Sequence, residues 1–291
     1  MKRMTLVLLS AFLFSCEKNI NFDLDNAKDV LVVDAEIESG KPPVVFLTRS
    51  TSFFSQIDPS ILSTLFVRNA EVYVSNGSLT HRMKEYAFPL APGYTAYYYG
   101  IDSASLATSF LGELNTSYSL RILADGMEYT ANTTIPAQTE VPDSFYFKPA
   151  PLNPDTNKRV MFVRLNDPVG MGNYSRYFTR INSGNFLPGE NSVFTDEVID
   201  GTSFEIQLPP GINRNDPPER DENFFRKGDT VTLKFCNIDR ATYLFWNTWE
   251  FAYQSIGNPF AQPNKVIGNV SNGALGAFCG YAGWYDTVIV R

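Results

Sequence analysis

Along residues 30–135 apolar and polar side chains alternate in short runs, and a period of two predicts strands rather than helices. Val30 to Val33 with Ala35 and Ile37 makes one run and Val44 to Leu47 a second, parted by the turn Ser39-Gly40-Lys41-Pro42. Glu71 to Ser75 and the run from Leu79 flank Asn76-Gly77, a pair suited to a tight hairpin whose two central residues take positive φ. Tyr118 to Leu123 and Met127 to Ile135 flank Asp125-Gly126 in the same way. Tyr118, Leu120 and Ile122 then share one face, and Tyr129, Ala131, Thr133 and Ile135 the face opposite or beside it. Only Asp58 to Leu62 suggests a helical turn, inside a long connection. The expectation is an antiparallel sandwich of the immunoglobulin-like or prealbumin-like kind over residues 30–138.

Prolines at Ile135-Pro136 and Val141-Pro142 mark a semi-rigid joint, after which a second β-rich domain is expected over 139–291. Its strands are Phe145 to Phe147, Val160 to Leu165, Tyr174 to Ile181 and Phe194 to Ile199. Asp200-Gly201 should turn the last of these into a hairpin with Phe204 to Leu208. Pro209 to Asn223 is too long for a bare connector and is either mobile or functional. The pattern changes to the helical period at about Arg240 to Ile256, with Asp239 placed to cap the start and Gly257 and Pro259 to end it. Ala241, Leu244, Phe245, Thr248, Trp249, Ala252 and Ile256 follow the repeat, while Tyr243, Trp246, Phe251 and Tyr253 spread apolar surface onto the other faces. Such a helix must be covered on most sides, between sheets or by a partner.

The chain begins with a different pattern. Lys2 and Arg3 precede the uncharged run Met4 to Phe14, then Ser15 and Cys16, the layout of a lipoprotein signal. Cleavage before Cys16 would remove residues 1–15 and leave a cysteine that carries a diacylglycerol and a further acyl chain, enough for stable attachment at about 0.8 kcal/mol per buried methylene. The run is too short to span a bilayer, which takes roughly 20 apolar residues; the competing reading is an ordinary secretory signal. Residues 16–29 are polar and acidic and form a tether. Asp23 and Asp25 alternate within it, without the glycine and terminal glutamate of a calcium loop.

Composition narrows the function classes. With 44% hydrophobic, 19% charged and 14% aromatic residues the chain is globular. Its net charge of −7, more negative still once Lys2 and Arg3 are gone, argues against a nucleic-acid partner and against a basic membrane-binding patch. The single histidine, His81, excludes a zinc site of two histidines, and its neighbours Arg82, Lys84 and Glu85 suggest a solvated strand face. No nucleophile elbow, metalloprotease helix or phosphate loop occurs, so no catalytic, metal or cofactor residue is assigned. Cys236 and Cys279 could pair in an oxidising compartment or stay as two buried thiols, since alternation points Val231, Leu233 and Phe235 one way and Cys236 the other. The aromatic groups Tyr98, Trp246, Trp249, Trp284 and Tyr285 are the candidate partner or ligand surface, against the alternative that they fill the second core.

Several segments together resemble a known family: Gly257-Asn258-Pro259-Phe260, Gly268-Asn269-Val270 and Asn272 to Phe278, with Asn166-Asp167-Pro168, Asn173-Tyr174 and Phe225 to Asp229. Their order and spacing are similar to those of the Bacteroidota outer-membrane lipoproteins grouped as domain of unknown function 4249. That resemblance implies an outer-membrane location and a TonB-dependent receptor as partner, and it supplies no catalytic residues. The resulting expectation is a lipid-anchored accessory or binding protein rather than an enzyme. A surface glycan-binding or glycan-cleaving lipoprotein and a structural envelope lipoprotein are the alternatives.

Overall fold

The computed structural model describes residues 29–50, 64–91, 93–198, 200–219, 223–258 and 264–291. The signal, Cys16, nearly all of the tether and the Asp58 to Leu62 turn lie outside the described residues.

The protein is mainly β, with one α-helix of any length among the described residues. The first half carries β1 (Leu31–Glu38), β2 (Val44–Arg49), β3 (Glu71–Ser75), β4 (Thr80–Arg82), β5 (Lys84–Ala91), β6 (Tyr94–Gly100), β7 (Thr116–Ala124) and β8 (Met127–Ile135). The second half carries β9 (Pro142–Pro149), β10 (Lys158–Asn166), β11 (Tyr174–Ile181), β12 (Leu187–Thr195), β13 (Ser203–Leu208), β14 (Phe225–Arg226), β15 (Thr230–Ile238), helix α1 (Arg240–Gln254) and β16 (Leu275–Ile289). No helix among the described residues is long and apolar enough to cross a membrane.

These strands make one eight-stranded sheet, in the order β12-β11-β15-β16-β1-β2-β6-β5, and two four-stranded sheets, β4-β3-β7-β8 and β13-β10-β14 with β9 beside β10. The expected partition at 138/139 therefore does not separate the sheets, because the large one draws four strands from each side of it. The joining pair is β1 and β16, parallel, with Val32 opposite Leu275 and Glu38 opposite Tyr281. Parallel pairing here places residues close in space that are far apart in sequence, which no local pattern reports.

Alternation along the large sheet explains the layers. Leu31, Val33, Ala35 and Ile37 of β1, with Phe278 and Ala282 of β16, pack against Val72, Val74, Tyr118, Leu120, Ile122, Tyr129, Ala131 and Ile135 of the first small sheet. On the same face further along, Tyr177, Val231, Leu233 and Phe235 pack against Phe145, Met161, Val163, Leu165 and Phe225 of the second small sheet. The two small sheets thus share one wall. The other face of that wall shows Cys236, Ile238, Ala277, Cys279 and Tyr281, and α1 covers it. Both faces of β15 are buried, as its unbroken run of buried residues Val231 to Ile238 records.

Turns fit the sequence in part. Asp125 (φ 51°) and Gly126 (φ 76°) form the expected hairpin between β7 and β8. At Asn76-Gly77 only the glycine takes positive φ (89°); the Asn76 side chain instead accepts the N–H groups of Ser78 and Leu79 at 3.1 and 2.8 Å, an Asx turn. Asp200-Gly201 is no hairpin: β12 belongs to the large sheet and β13 to the second small sheet, so this turn carries the chain from one layer to another. Helix α1 starts as expected, the Asp239 carboxylate accepting Thr242 N–H at 2.8 Å. The same carboxylate accepts Thr134 N–H at 2.8 Å and Thr133 Oγ1–H at 3.1 Å, pinning the helix to β8.

Candidate functional site

Helix α1 packs against β12, β16 and β11 of the large sheet. A cavity of about 890 Å³ opens between α1, the paired starts of β1 and β16, and the segment 265–274, with Arg176 and Arg214 entering from β11 and the loop after β13. This volume suits a small ligand. Gly276 makes the close approach of β16 to β1 feasible: it has φ 93°, and a Cβ there would stand 1.9 Å from Val33 O.

Arg176 is the centre of the site. Only 2% exposed, it donates from Nε to Ser192 Oγ at 3.0 Å and from Nη1 to the Tyr281 hydroxyl at 3.0 Å. Its guanidinium lies 3.5 Å from the ring centroid of Trp246, whose Nε1–H donates to the same Tyr281 hydroxyl at 2.9 Å. Behind it, buried Glu250 accepts the Ser192 N–H at 2.8 Å, the Ser192 hydroxyl at 2.5 Å and Arg214 Nη2–H at 3.0 Å. Arg214 thus has a carboxylate partner. Among the described residues Arg176 makes no ion pair within 4.0 Å; the partners given above are neutral hydroxyls.

Asp34 on β1 supplies the negative wall. It is open to the cavity yet crowded by protein, and burial foremost, then the charge of Glu36, pushes its pKa up to about 6 against the opposing pull of Arg176. Trp249 stacks on Tyr253 at 5.5 Å and meets Trp246 edge-on at 5.7 Å. The cavity therefore offers flat aromatic surface, a fixed cation and one titratable acid.

The candidate surface residues separate. Trp246 and Trp249 line the cavity. Trp284 and Tyr285, being consecutive on β16, point to opposite faces: Trp284 is half-buried against the second core. Tyr285 is 39% exposed, donates its hydroxyl to Glu38 and accepts from Lys41 Nζ at 2.6 Å. Tyr98 lies on β6, stacked on Tyr86 at 5.4 Å with Phe46 and Phe88 around it, in an aromatic group of its own. Cys236 and Cys279 do not pair; both thiols are free and buried, and burial pushes each up to about 12.

His81 is not on a solvated face. It is 1% exposed, Nε2 accepts the Asp102 N–H at 2.9 Å, and Nδ1 lies 2.9 Å from Thr108 Oγ1. An accepting Nε2 requires the neutral ring protonated on Nδ1, in keeping with burial, which lowers its pKa despite Asp102. Alternation carried the signal, since His81 shares its parity with buried Met83 between exposed Thr80, Arg82 and Lys84. Arg176, Arg214 and Asp34 escaped the sequence reading because no spacing joins residues of three distant segments.

The family model described as Domain of unknown function (DUF4249) matches residues 17–283, and the chain belongs to that family. No curated protein matches the chain.

Proposed function

Starting from that membership, we propose that this protein is a lipid-anchored binding protein of the outer membrane. Acyl chains on Cys16 hold it there, and it captures a small anionic ligand in the cavity for a TonB-dependent receptor. The observation that carries the ligand class is Arg176. A buried guanidinium without a contacting carboxylate is costly unless another anion completes it, and a carboxylate or phosphate matches its fork of donors. Trp246 and Trp249 would hold a flat or ring-shaped remainder of such a ligand. The acidic chain and the lipoprotein signal support the anchored location; the receptor rests on the resemblance described above.

Tryptophan fluorescence of the full chain, titrated with a panel of aromatic and sugar carboxylates and phosphates, tests the ligand class. Saturable quenching is expected, weakened at least tenfold, about 1.4 kcal/mol, in Arg176→Met. No quenching by any anion, or an unchanged titration in that variant, would refute it. Recovery of a receptor barrel from solubilised membranes tests the partner, and repeated purification without one counts against it. The second reading, glycan binding or cleavage, draws on the Trp249 wall: neutral oligosaccharides would then quench equally in wild type and Arg176→Met, and released products would mark an enzyme.

A further inference from the structure

A second cluster sits where the chain passes between sheets. Asp167 follows β10, Asp196 follows β12, and Asp200 lies in the turn that leads to β13. A carboxylate oxygen of each lies within 4.8 Å of one from each of the others. Backbone amides hold all three: Gly201 N–H donates to Asp167 Oδ2 at 2.9 Å, and Gly170 N–H to Asp200 Oδ1 at 2.6 Å. Gly172 and Asn173 N–H donate to the two Asp196 oxygens at 3.1 and 2.9 Å, and Asn173 Nδ2 adds a third bond at 3.1 Å. The other Asp167 oxygen, Oδ1, receives no hydrogen bond among the described residues, although the residue is only 6% exposed.

Charge at the cluster is unbalanced. Among the described residues no lysine, arginine or histidine lies within 4.0 Å of these three carboxylates. A buried acceptor with no donor, held by rigid amides beside two further carboxylates, is what a hard cation satisfies.

We infer that Asp167, Asp196 and Asp200 form a binding site for a divalent cation of the calcium class. The ligands are all oxygen. The three oxygens lie within 4.8 Å of one another, close enough to share one ion, and calcium's adaptable oxygen shell accepts an irregular set where magnesium demands a near-ideal octahedron. The ion would join the connection after β10, the approach to β11 and the turn between β12 and β13, and so clamp the second small sheet to the large one. This site shares no residue with the cavity and does not depend on what the cavity binds.

The test is calorimetric and thermal titration of the full chain, stripped with EGTA, against CaCl2 and MgCl2. One calcium per chain is expected, with Tm raised by roughly 5 °C at a hundredfold excess over Kd and magnesium at least tenfold weaker. Asp200→Asn, on an exposed turn, and Asp167→Asn should each weaken calcium at least tenfold, while exposed Asp286→Asn leaves the titration unchanged. If Asp167→Asn does not fold, Asp200→Asn alone decides. No calcium response in the wild type, equal affinity for magnesium, or wild-type titrations in Asp200→Asn would overturn the proposal.

Discussion

Lys234 and Glu38 make an ion pair that tests the energetics of the sheet from within. Lys234 Nζ on β15 reaches across β16 to Glu38 Oε2 on β1 at 2.6 Å, and both side chains are almost fully buried. Glu38 has other partners, Lys41 Nζ at 2.9 Å and the Tyr285 hydroxyl. Among the described residues Lys234 makes no second ion pair; beside it stand the rings of Phe178 at 4.7 Å, Tyr281 at 5.4 Å and Tyr285 at 5.9 Å, with the charge of Glu36 beyond contact distance. The two halves of the pair are therefore not equivalent. Glu38→Gln strands a buried ammonium and should cost about 3 kcal/mol, the lower end for breaking a buried pair. Lys234→Met leaves the carboxylate with half-exposed Lys41 and should cost only about 1–2 kcal/mol. The double variant should lie nearer Lys234→Met than the sum of both, because the stranded ammonium is gone. In thermal unfolding Glu38→Gln should lower Tm by roughly 6–12 °C. The pH sign follows from both partners. Burial is the largest single influence on Glu38 and opposes its charge, but Lys234, Tyr285 and Lys41 together outweigh it and hold the carboxyl below its usual value; Lys234 is held above its own, although burial opposes it. The pair's contribution is thus complete between the ordinary carboxylate and lysine values, fades as pH falls through the lowered Glu38 pKa, and fades again as pH rises through the raised Lys234 pKa. Urea unfolding at acid, neutral and alkaline pH checks both limbs. Equal costs for the two single variants, or strict additivity in the double, would refute the reasoning.

Gly276→Ala should destabilise by at least about 2 kcal/mol in urea, since its Cβ would meet Val33 O at 1.9 Å and its φ is positive. Asp239→Ala removes a helix cap and two bonds to β8; a loss of about 1–2 kcal/mol is expected, with reduced helical signal in far-ultraviolet dichroism. Cys236 and Cys279 should resist iodoacetamide in the folded chain and react once it is unfolded, as mass spectrometry of the alkylated peptides would show, because both thiols are buried and titrate near 12.

The strands were legible where one face is wet. In β7 and β8 buried Tyr118, Leu120, Ile122, Tyr129, Ala131 and Ile135 alternate with exposed residues, and Asp125-Gly126 sets the turn. Helix α1 was legible from its period and from Asp239. β16 was not, because Gly276, Gly280 and Gly283 interrupt its apolar run, and glycine in sequence suggests a loop. Nor does a turn state which sheet its strands join, so Asp200-Gly201 passed for a hairpin. Part of the cavity was visible in Trp246 and Trp249, whose aromatic excess on one helix demanded cover. The charged part lay hidden, since Arg176 sits between ordinary strand residues and gains its meaning only from Tyr281 and Ser192, which folding brings to it.

The neighbour of β1 on one side is β16, about 240 residues further along the chain. A nascent chain that has emerged as far as the proline joint consequently holds a half-walled sandwich with an unsatisfied apolar edge, open to any passing strand. Completion waits for residues 275–289, so holdase chaperones should be needed for the greater part of synthesis. Proteolytic fragments that end near residue 138 should aggregate rather than persist as a soluble half.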